Sequence, residues 1–188
     1  ITPTTFDSWG RILEQVDGSV LMIYVNNESA KTNLTKEIVL RGIDPSRLIF
    51  GEQLPIPEYL ARYRVADLFL DTLPYNAGTT ASDALRMGLP VLTYIGHSFA
   101  SRMGASVISA LNLPELITTN QEEYESLAIE LATDPEKLKI IKDKLVSNLP
   151  TAPLYDTPLF TRHLESAYSM MYDRYQRGLD ADHIYVKH

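Results

Sequence analysis

Cysteine is absent from this sequence of 188 residues, which excludes a disulfide framework and thiolate chemistry. No apolar run approaches the length of a membrane span, and no signal peptide is recognisable. Basic residues form no dense patch and the net charge is −7, so we expect neither a membrane nor nucleic acid as the main partner. His, Asp and Glu do not occur at the spacing of metal ligands, and we expect no metal site.

The composition and the hydrophobic pattern are those of an α/β domain. Apolar residues make up 45% and charged residues 22%, as in ordinary globular chains. From residue 1 to 150, short apolar runs alternate with helical patterns, which predicts a doubly wound parallel sheet with helices on both faces. The predicted strands are 20–25, 48–50, 65–71, 90–95 and 117–118. The predicted helices are 4–15, 28–41, 57–64, 79–88, 98–111, 121–133 and 134–149.

The last part of the chain, residues 151–188, has a different pattern. A proline-rich connector precedes one long predicted helix over 157–177. One face of this helix is an apolar stripe, of the kind that usually packs into a core. The stripe consists of Phe160, Leu164, Ala167, Tyr168, Met171 and Tyr175.

The most informative segment is 71–93, which has the pattern of a strand end, a small-residue turn, a helix and a second strand. Ligands of parallel α/β sheets bind beyond the carboxyl ends of the strands. Thr79 and Thr80 open the helix, whose free N–H groups and dipole favour an anion, and Gly78 lets a phosphate approach the backbone. Asp83 lies one turn further on, within reach of a sugar hydroxyl. The segment therefore predicts a nucleotide-diphosphate pocket.

A series of motifs extends over nearly the whole sequence, from residue 1 to about 184. In order, they are 66–72, 74–83, 88–93, 99–102, 113–117 and 153–157. In order and spacing they resemble the C-terminal part of the catalytic region of protein O-GlcNAc transferases and SPINDLY proteins. The resemblance implies the C-terminal half of a GT-B glycosyltransferase, in which a sugar nucleotide lies between two Rossmann-like lobes. Residues 1–150 would form the nucleotide-sugar-binding lobe, and 151–188 a connector and a helix that crosses toward an N-terminal lobe outside this sequence. Without that lobe, part of the apolar stripe is expected to be exposed.

The resemblance also implies roles for individual residues. Thr79 and Thr80 would hold the diphosphate of the donor, and Asp83 would bind its ribose. Arg62 would lie beside the base, and the backbone near Leu54 would contact the edge of the base. These roles suit the chemistry, because fixed donors stabilise the charge that develops on a departing nucleotide diphosphate.

Three positions depart from the family pattern, and a fourth lies outside this sequence. Gly78 replaces a His, as in SPINDLY-type proteins, and Tyr59 replaces a His beside the base, where it could still stack on the base. Ile56 replaces a Lys near the ribose, which leaves the choice of nucleotide open. The family's essential Lys would lie immediately before Ile1.

Four of these residues have a structural alternative. Thr80 and Asp83 fit an N-capping pattern, in which both residues satisfy only the N–H groups of their own helix. Arg62 could instead pair with Glu58 one helical turn away. Tyr59 could be a half-buried packing residue.

The resemblance implies an enzyme: a cytoplasmic protein O-glycosyltransferase of the hexosyltransferase type. It would transfer GlcNAc from UDP-GlcNAc to Ser or Thr with inversion, without a metal or other cofactor. Its partners would be the nucleotide sugar and acceptor proteins, the latter bound through an N-terminal lobe and tetratricopeptide repeats outside this sequence. No catalytic residue is assigned here, and we expect this chain alone to bind nucleotide without transferring sugar.

Other functions remain open from the sequence. GDP-fucose is the alternative donor, as in SPINDLY-type fucosyltransfer. A sugar-nucleotide epimerase and a lipid-linked sugar transferase share the predicted fold, although the Asn-Ala-Gly-Thr-Thr string at 76–80 argues against both. A non-catalytic interaction module would use the acidic surface and the apolar stripe of the last helix to bind a partner.

Overall fold

The computed structural model describes residues 1–186, so the last two residues of the predicted 151–188 unit lie outside the described part. The described residues form eight α-helices and five strands. The helices are α1 (Pro3–Gln15), α2 (Glu28–Leu40), α3 (Ile56–Arg62), α4 (Thr79–Arg86), α5 (Met103–Ala110), α6 (Gln121–Thr133), α7 (Pro135–Asn148) and α8 (Thr157–Gln176). The strands are β1 (Leu21–Tyr24), β2 (Leu48–Gly51), β3 (Phe69–Leu70), β4 (Val91–Tyr94) and β5 (Ile117–Thr118).

The predicted order of helices and strands is confirmed, with local differences. α5 begins later than predicted because 98–101 form a turn, in which the side chains of Ser98 and Ser101 accept each other's backbone N–H groups. β3 is shorter than the predicted strand because Tyr63–Val65 continue α3 as a 3₁₀ turn. Gly42 ends α2 with a φ of +75°, as a C-terminal capping glycine does.

All strand pairs are parallel, which confirms the predicted α/β class. The strands form two hydrogen-bonded sets among the described residues: β1 beside β2, and β3-β4-β5 with β4 in the centre. Leu21 is paired with Leu48 in the first set, and Phe69 with Val91 in the second. The carboxyl ends of β3, β4 and β5 therefore lie at one edge of their sheet, and the loops that follow them lie close together.

Two apolar cores lie on opposite sides of β4. Successive residues of a strand point to opposite faces, and Val91 packs with the core of α4, α5 and α7 while Leu92 packs with the core of α1, α2 and α6. Both side chains are fully buried. The strand that precedes the small-residue turn therefore pairs with a β4 that is held on both faces.

Among the described residues, helices cover only one face of the β1–β2 set. Ile38 of α2 packs on the face that carries Ile23 and Leu48. On the opposite face Met22 and Tyr24 keep 45% and 51% of their surface exposed. In β1, Ile23 is therefore buried, whereas Met22 and Tyr24 on either side of it are exposed.

The long C-terminal helix α8 contains no buried residue. Five of the six residues of the predicted stripe are exposed, up to 76% at Tyr175, and Ala167 is half-buried. The stripe therefore packs into no core among the described residues, and its packing toward an N-terminal lobe remains a prediction. The division into units 1–150 and 151–188 remains a prediction.

Candidate functional site

The loop after β3 is held by the buried carboxylate of Asp71. Its Oδ1 accepts the N–H groups of Thr72 (2.8 Å) and Ala77 (2.7 Å), and its Oδ2 accepts the hydroxyl of Thr93 on β4 (2.7 Å). Burial raises the pKa of Asp71, and the three hydrogen bonds oppose that rise. A Cβ at Gly104 would lie 2.3 Å from Oδ2, so only glycine fits beside this carboxylate.

A second set of hydrogen bonds fixes the rest of the same loop. Asn76 is buried, its Nδ2 donates to the carbonyl of Thr72 (2.8 Å), and its backbone N–H donates to the carbonyl of Ala100 (2.9 Å). The hydroxyl of Tyr124 on α6 donates to the carbonyl of Asp71 (3.0 Å). The loop is therefore pre-organised before any ligand binds.

Sequence reasoning missed these supporting roles. The sequence pattern places Asp71 at a strand end and Asn76 in a turn, without a further role. The available signal was that both are polar residues in the loop that directly follows an apolar strand.

This loop leads directly into the N-terminus of α4. Gly78 is the N-cap residue, no side chain caps the helix, and Thr79 and Thr80 are exposed. The first intrahelical bond here runs from the N–H of Ser82 to the carbonyl of Gly78 (3.0 Å). The N–H groups of the first turn therefore face outward with the positive end of the helix dipole, as an anion site requires.

The capping interpretation of Thr80 and Asp83 is wrong. Thr80 is the second residue of α4 rather than its N-cap. The carboxylate of Asp83 accepts the hydroxyl of Tyr59 at 3.1 Å, so it faces α3 instead of its own helix terminus.

Tyr59 connects the two predicted halves of the site. Its hydroxyl also lies 2.7 Å from the hydroxyl of Tyr63, and the two rings meet edge-to-face with centroids 5.3 Å apart. Burial, reinforced by the hydrogen bonds to Tyr63 and Asp83, raises the pKa of Tyr59. Burial is also the main cause that raises the pKa of Tyr63. Both phenols therefore remain protonated at neutral pH.

Arg62 ends α3, and its guanidinium reaches the residue that follows β2. Arg62 donates to the carbonyl of Glu52 (2.9 Å), and its guanidinium lies 5.9 Å from the centroid of the Tyr59 ring. The ion pairs of the described part do not include Glu58 with Arg62. Leu54 is half-buried in the loop between β2 and α3.

The seven predicted site residues thus fall in two neighbouring groups. Gly78, Thr79, Thr80 and Asp83 form the α4 group, and Leu54, Tyr59 and Arg62 form the α3 group. The hydrogen bond from Tyr59 to Asp83 joins the two groups directly. Their roles toward a ligand remain predictions.

A cavity of about 300 Å³ lies next to this site, at the ends of β3 and β4. The first turn of α1 and the start of α6 line it, with Thr2, Thr5, Leu73, Tyr94 and Gln121 among the lining residues. The hydroxyl of Thr5 donates to the carbonyl of Leu73 (3.2 Å), which joins α1 to the loop. The predicted site residues do not line this cavity.

The part of the chain from 1 to 186 shows neither a metal cluster nor a membrane span. No three of its His, Asp and Glu side chains come together as metal ligands. None of its helices is both long and apolar enough to cross a bilayer.

A parallel sheet whose strand leads into a free helix N-terminus is the architecture of α/β domains that bind phosphorylated ligands. Residues 1–164 match the family described as glycosyl transferase family 41. The chain belongs to that family, which confirms the resemblance inferred from its motifs.

Individual relatives agree with this assignment. A UDP-N-acetylglucosamine–peptide N-acetylglucosaminyltransferase of Caenorhabditis elegans is 35% identical over 98% of this chain and 16% of the relative. A probable transferase of the same description, SPINDLY of Solanum lycopersicum, is 32% identical over 95% of this chain and 20% of the relative. A mutant O-GlcNAc transferase of Thermobaculum terrenum superposes with a TM-score of 0.85 at 32% identity, over 92% of this chain and 34% of that structure. The chain thus spans a fifth or less of these curated relatives.

Proposed function

We propose that this chain is the donor-binding part of a protein O-glycosyltransferase that transfers GlcNAc from UDP-GlcNAc to Ser or Thr. The observation that supports this proposal most is the uncapped N-terminus of α4, which follows a loop held by Asp71. Asp83 lies one helical turn further along α4. The printed names of the relatives, which are UDP-GlcNAc peptide transferases, favour the same donor. We place the enzyme in the cytoplasm.

The chemistry we propose is inverting transfer without a metal. As the glycosidic bond breaks, negative charge grows on the nucleotide diphosphate. The N–H groups at the start of α4 and the hydroxyls of Thr79 and Thr80 would donate to that charge. One such donor is worth about 2.7–4 kcal/mol in a water-excluded site, and the helix end adds the equivalent of about half a positive charge.

The remaining components would come from outside this sequence. We assign no general base among the residues of this chain. A second lobe would supply the acceptor site, and repeats would recruit acceptor proteins. The chain by itself would then bind nucleotide and transfer nothing.

A second donor, GDP-fucose, is supported by two positions. Gly78 precedes the Thr pair and contributes no side-chain donor. Ile56, the first residue of α3, is 73% exposed and offers no charge to a ribose or a phosphate.

A function in partner binding is supported by α8. Its apolar stripe is exposed along the helix, and exposed apolar patches mark interaction surfaces. Under this alternative the turn before α4 would be purely structural.

Isothermal titration calorimetry on the 188-residue chain tests donor binding and distinguishes the two donors. UDP and GDP are titrated separately into the unmodified chain, the Thr79→Ala/Thr80→Ala variant and Thr161→Ala, a matched exposed threonine on α8. Binding of UDP that the double variant loses and Thr161→Ala keeps supports the UDP-GlcNAc proposal. Binding of GDP alone moves the assignment to fucose. If neither nucleotide binds at millimolar concentration, the donor-binding proposal is wrong for this chain.

A further inference from the structure

Three side chains form one line of hydrogen bonds: Tyr63 in the 3₁₀ turn after α3, Tyr59 in α3 and Asp83 in α4. The hydroxyl of Tyr63 lies 2.7 Å from that of Tyr59, which in turn donates to Oδ2 of Asp83 at 3.1 Å. A phenol has one proton to donate, and an ionised carboxylate only accepts. Because the proton of Tyr59 goes to Asp83, Tyr63 must donate to Tyr59. The line therefore has one direction, from Tyr63 through Tyr59 to Asp83.

The packing around Tyr63 fixes this line at its far end. The Tyr63 ring contacts the rings of Tyr59 and, on β3, of Phe69, with centroids 5.3 Å and 6.3 Å away. Tyr63 also packs against the core that contains α4. Tyr63, the donor that begins the line, is thus held by packing against β3 and the core.

The line leaves Asp83 with one oxygen engaged and one available. No residue of the described part donates to Oδ1 of Asp83, while Oδ2 is held by Tyr59. The nearby cation Arg62 is turned to the carbonyl of Glu52. The carboxylate is therefore a fixed acceptor that can be satisfied only by a donor from a ligand or water.

We propose that Tyr59 and Tyr63 are positioning residues that hold Asp83 as an oriented acceptor for a ribose hydroxyl, which makes the site selective for ribonucleotides over deoxynucleotides. This inference rests on the proposed nucleotide-binding function. A site built to pair with a hydroxyl rejects the analogue that lacks it, because the polar group of the protein is then left without its partner. The free edge of Asp83 and the fixed position of its other oxygen meet that condition.

The test is a ratio of dissociation constants measured by calorimetry. UDP, 2′-deoxy-UDP and 3′-deoxy-UDP are each titrated into the unmodified chain, Tyr63→Phe and Tyr59→Phe. Tyr172→Phe removes a phenol hydroxyl from exposed α8 and serves as the matched control. We expect the unmodified chain to bind one deoxy analogue about tenfold or more weakly than UDP. Tyr63→Phe should reduce that ratio to roughly threefold, and Tyr172→Phe should leave it unchanged.

The outcomes distinguish this inference from the function on which it rests. A variant that is merely less stable lowers the affinity for all three ligands and keeps their ratio. An unchanged ratio in both Tyr63→Phe and Tyr59→Phe overturns the positioning role. Equal binding of UDP and both deoxy analogues by the unmodified chain overturns the selectivity but leaves nucleotide binding intact. If the unmodified chain binds none of the three, the proposed function fails and the inference with it.

Discussion

Asp71 is the residue whose removal tests the architecture of the site most sharply. In Asp71→Ala, three donors lose their acceptor: the N–H groups of Thr72 and Ala77 and the buried hydroxyl of Thr93. A buried donor left unsatisfied costs about 1–3 kcal/mol. Because Thr72 and Ala77 are only half-buried, water can partly replace their acceptor. We therefore expect a total loss of about 3–5 kcal/mol in the free energy of unfolding.

Asp71→Asn should behave differently from Asp71→Ala. Its amide oxygen can keep both backbone N–H groups, and its NH₂ can donate to Thr93, whose hydroxyl can also accept. We expect a loss of about 1 kcal/mol or less. It should also remove a pH dependence. Because burial raises the folded-state pKa of Asp71, the folded state binds a proton more readily than the unfolded state, so the free energy of unfolding rises as the pH falls from the raised pKa toward the ordinary 3.8.

Urea unfolding at neutral pH and at pH about 4 measures both effects. Asp67→Ala is the control, because it removes an exposed carboxylate near the same strand whose ion pair with Lys142 is at the surface and is worth less than about 1 kcal/mol. A loss below about 1 kcal/mol for Asp71→Ala, or equal losses for Ala and Asn, would refute the reasoning.

Two further predictions concern the support of the site. Hydrogen bonds from Arg11 lower the pKa of Glu125 to about 2 from 4.5, so this carboxylate stabilises the fold above pH 4.5 and loses that contribution as the pH falls toward 2. Glu125→Gln should therefore flatten the decline of the melting temperature over that interval, and an unchanged profile would contradict this. Gly104→Ala should cost about 1–3 kcal/mol through overpacking, because its Cβ would meet Asp71 at 2.3 Å. Gly78→Ala, whose Cβ would meet only Met103 at 3.5 Å, should cost less than 1 kcal/mol; similar losses in urea unfolding for both would refute the packing argument.

The order of elements could be predicted because it depends on local pattern. Apolar runs separated by helical periodicity placed β1 to β5, and glycine at a helix end placed the end of α2. The α4 segment was found in the same way, since a small-residue turn followed by Thr79 and Thr80 is a contiguous signal.

Contacts between residues far apart in the sequence fix the side chains of the site, and the sequence pattern did not predict them. Asp71 is fixed by Thr93, 22 residues away, and Asp83 is engaged by Tyr59, 24 residues away. Such pairs leave no periodic trace. The capping pattern at Thr80 was misleading because a T-x-x-D string is local, whereas the start of α4 is set by the loop that Asp71 holds.

The hydrophobic pattern of the sequence also could not predict which faces of β1 and α8 are exposed. An apolar run such as β1 looks the same whether one face or two are covered, and only the packing of α2 shows which. The stripe of α8 has helical periodicity, but periodicity does not show whether the described chain supplies a surface to bury it.

The central claim is that the N-terminus of α4 binds the diphosphate, and backbone amide NMR tests it most directly. UDP is titrated into the ¹⁵N-labelled 188-residue chain, and the shift of every assigned amide is followed. We predict the largest shift changes at the amides of Thr79, Thr80 and Ala81, with smaller ones near Leu54. Largest changes elsewhere, for example around the cavity lined by Thr2 and Gln121, or no change at millimolar UDP, would contradict it.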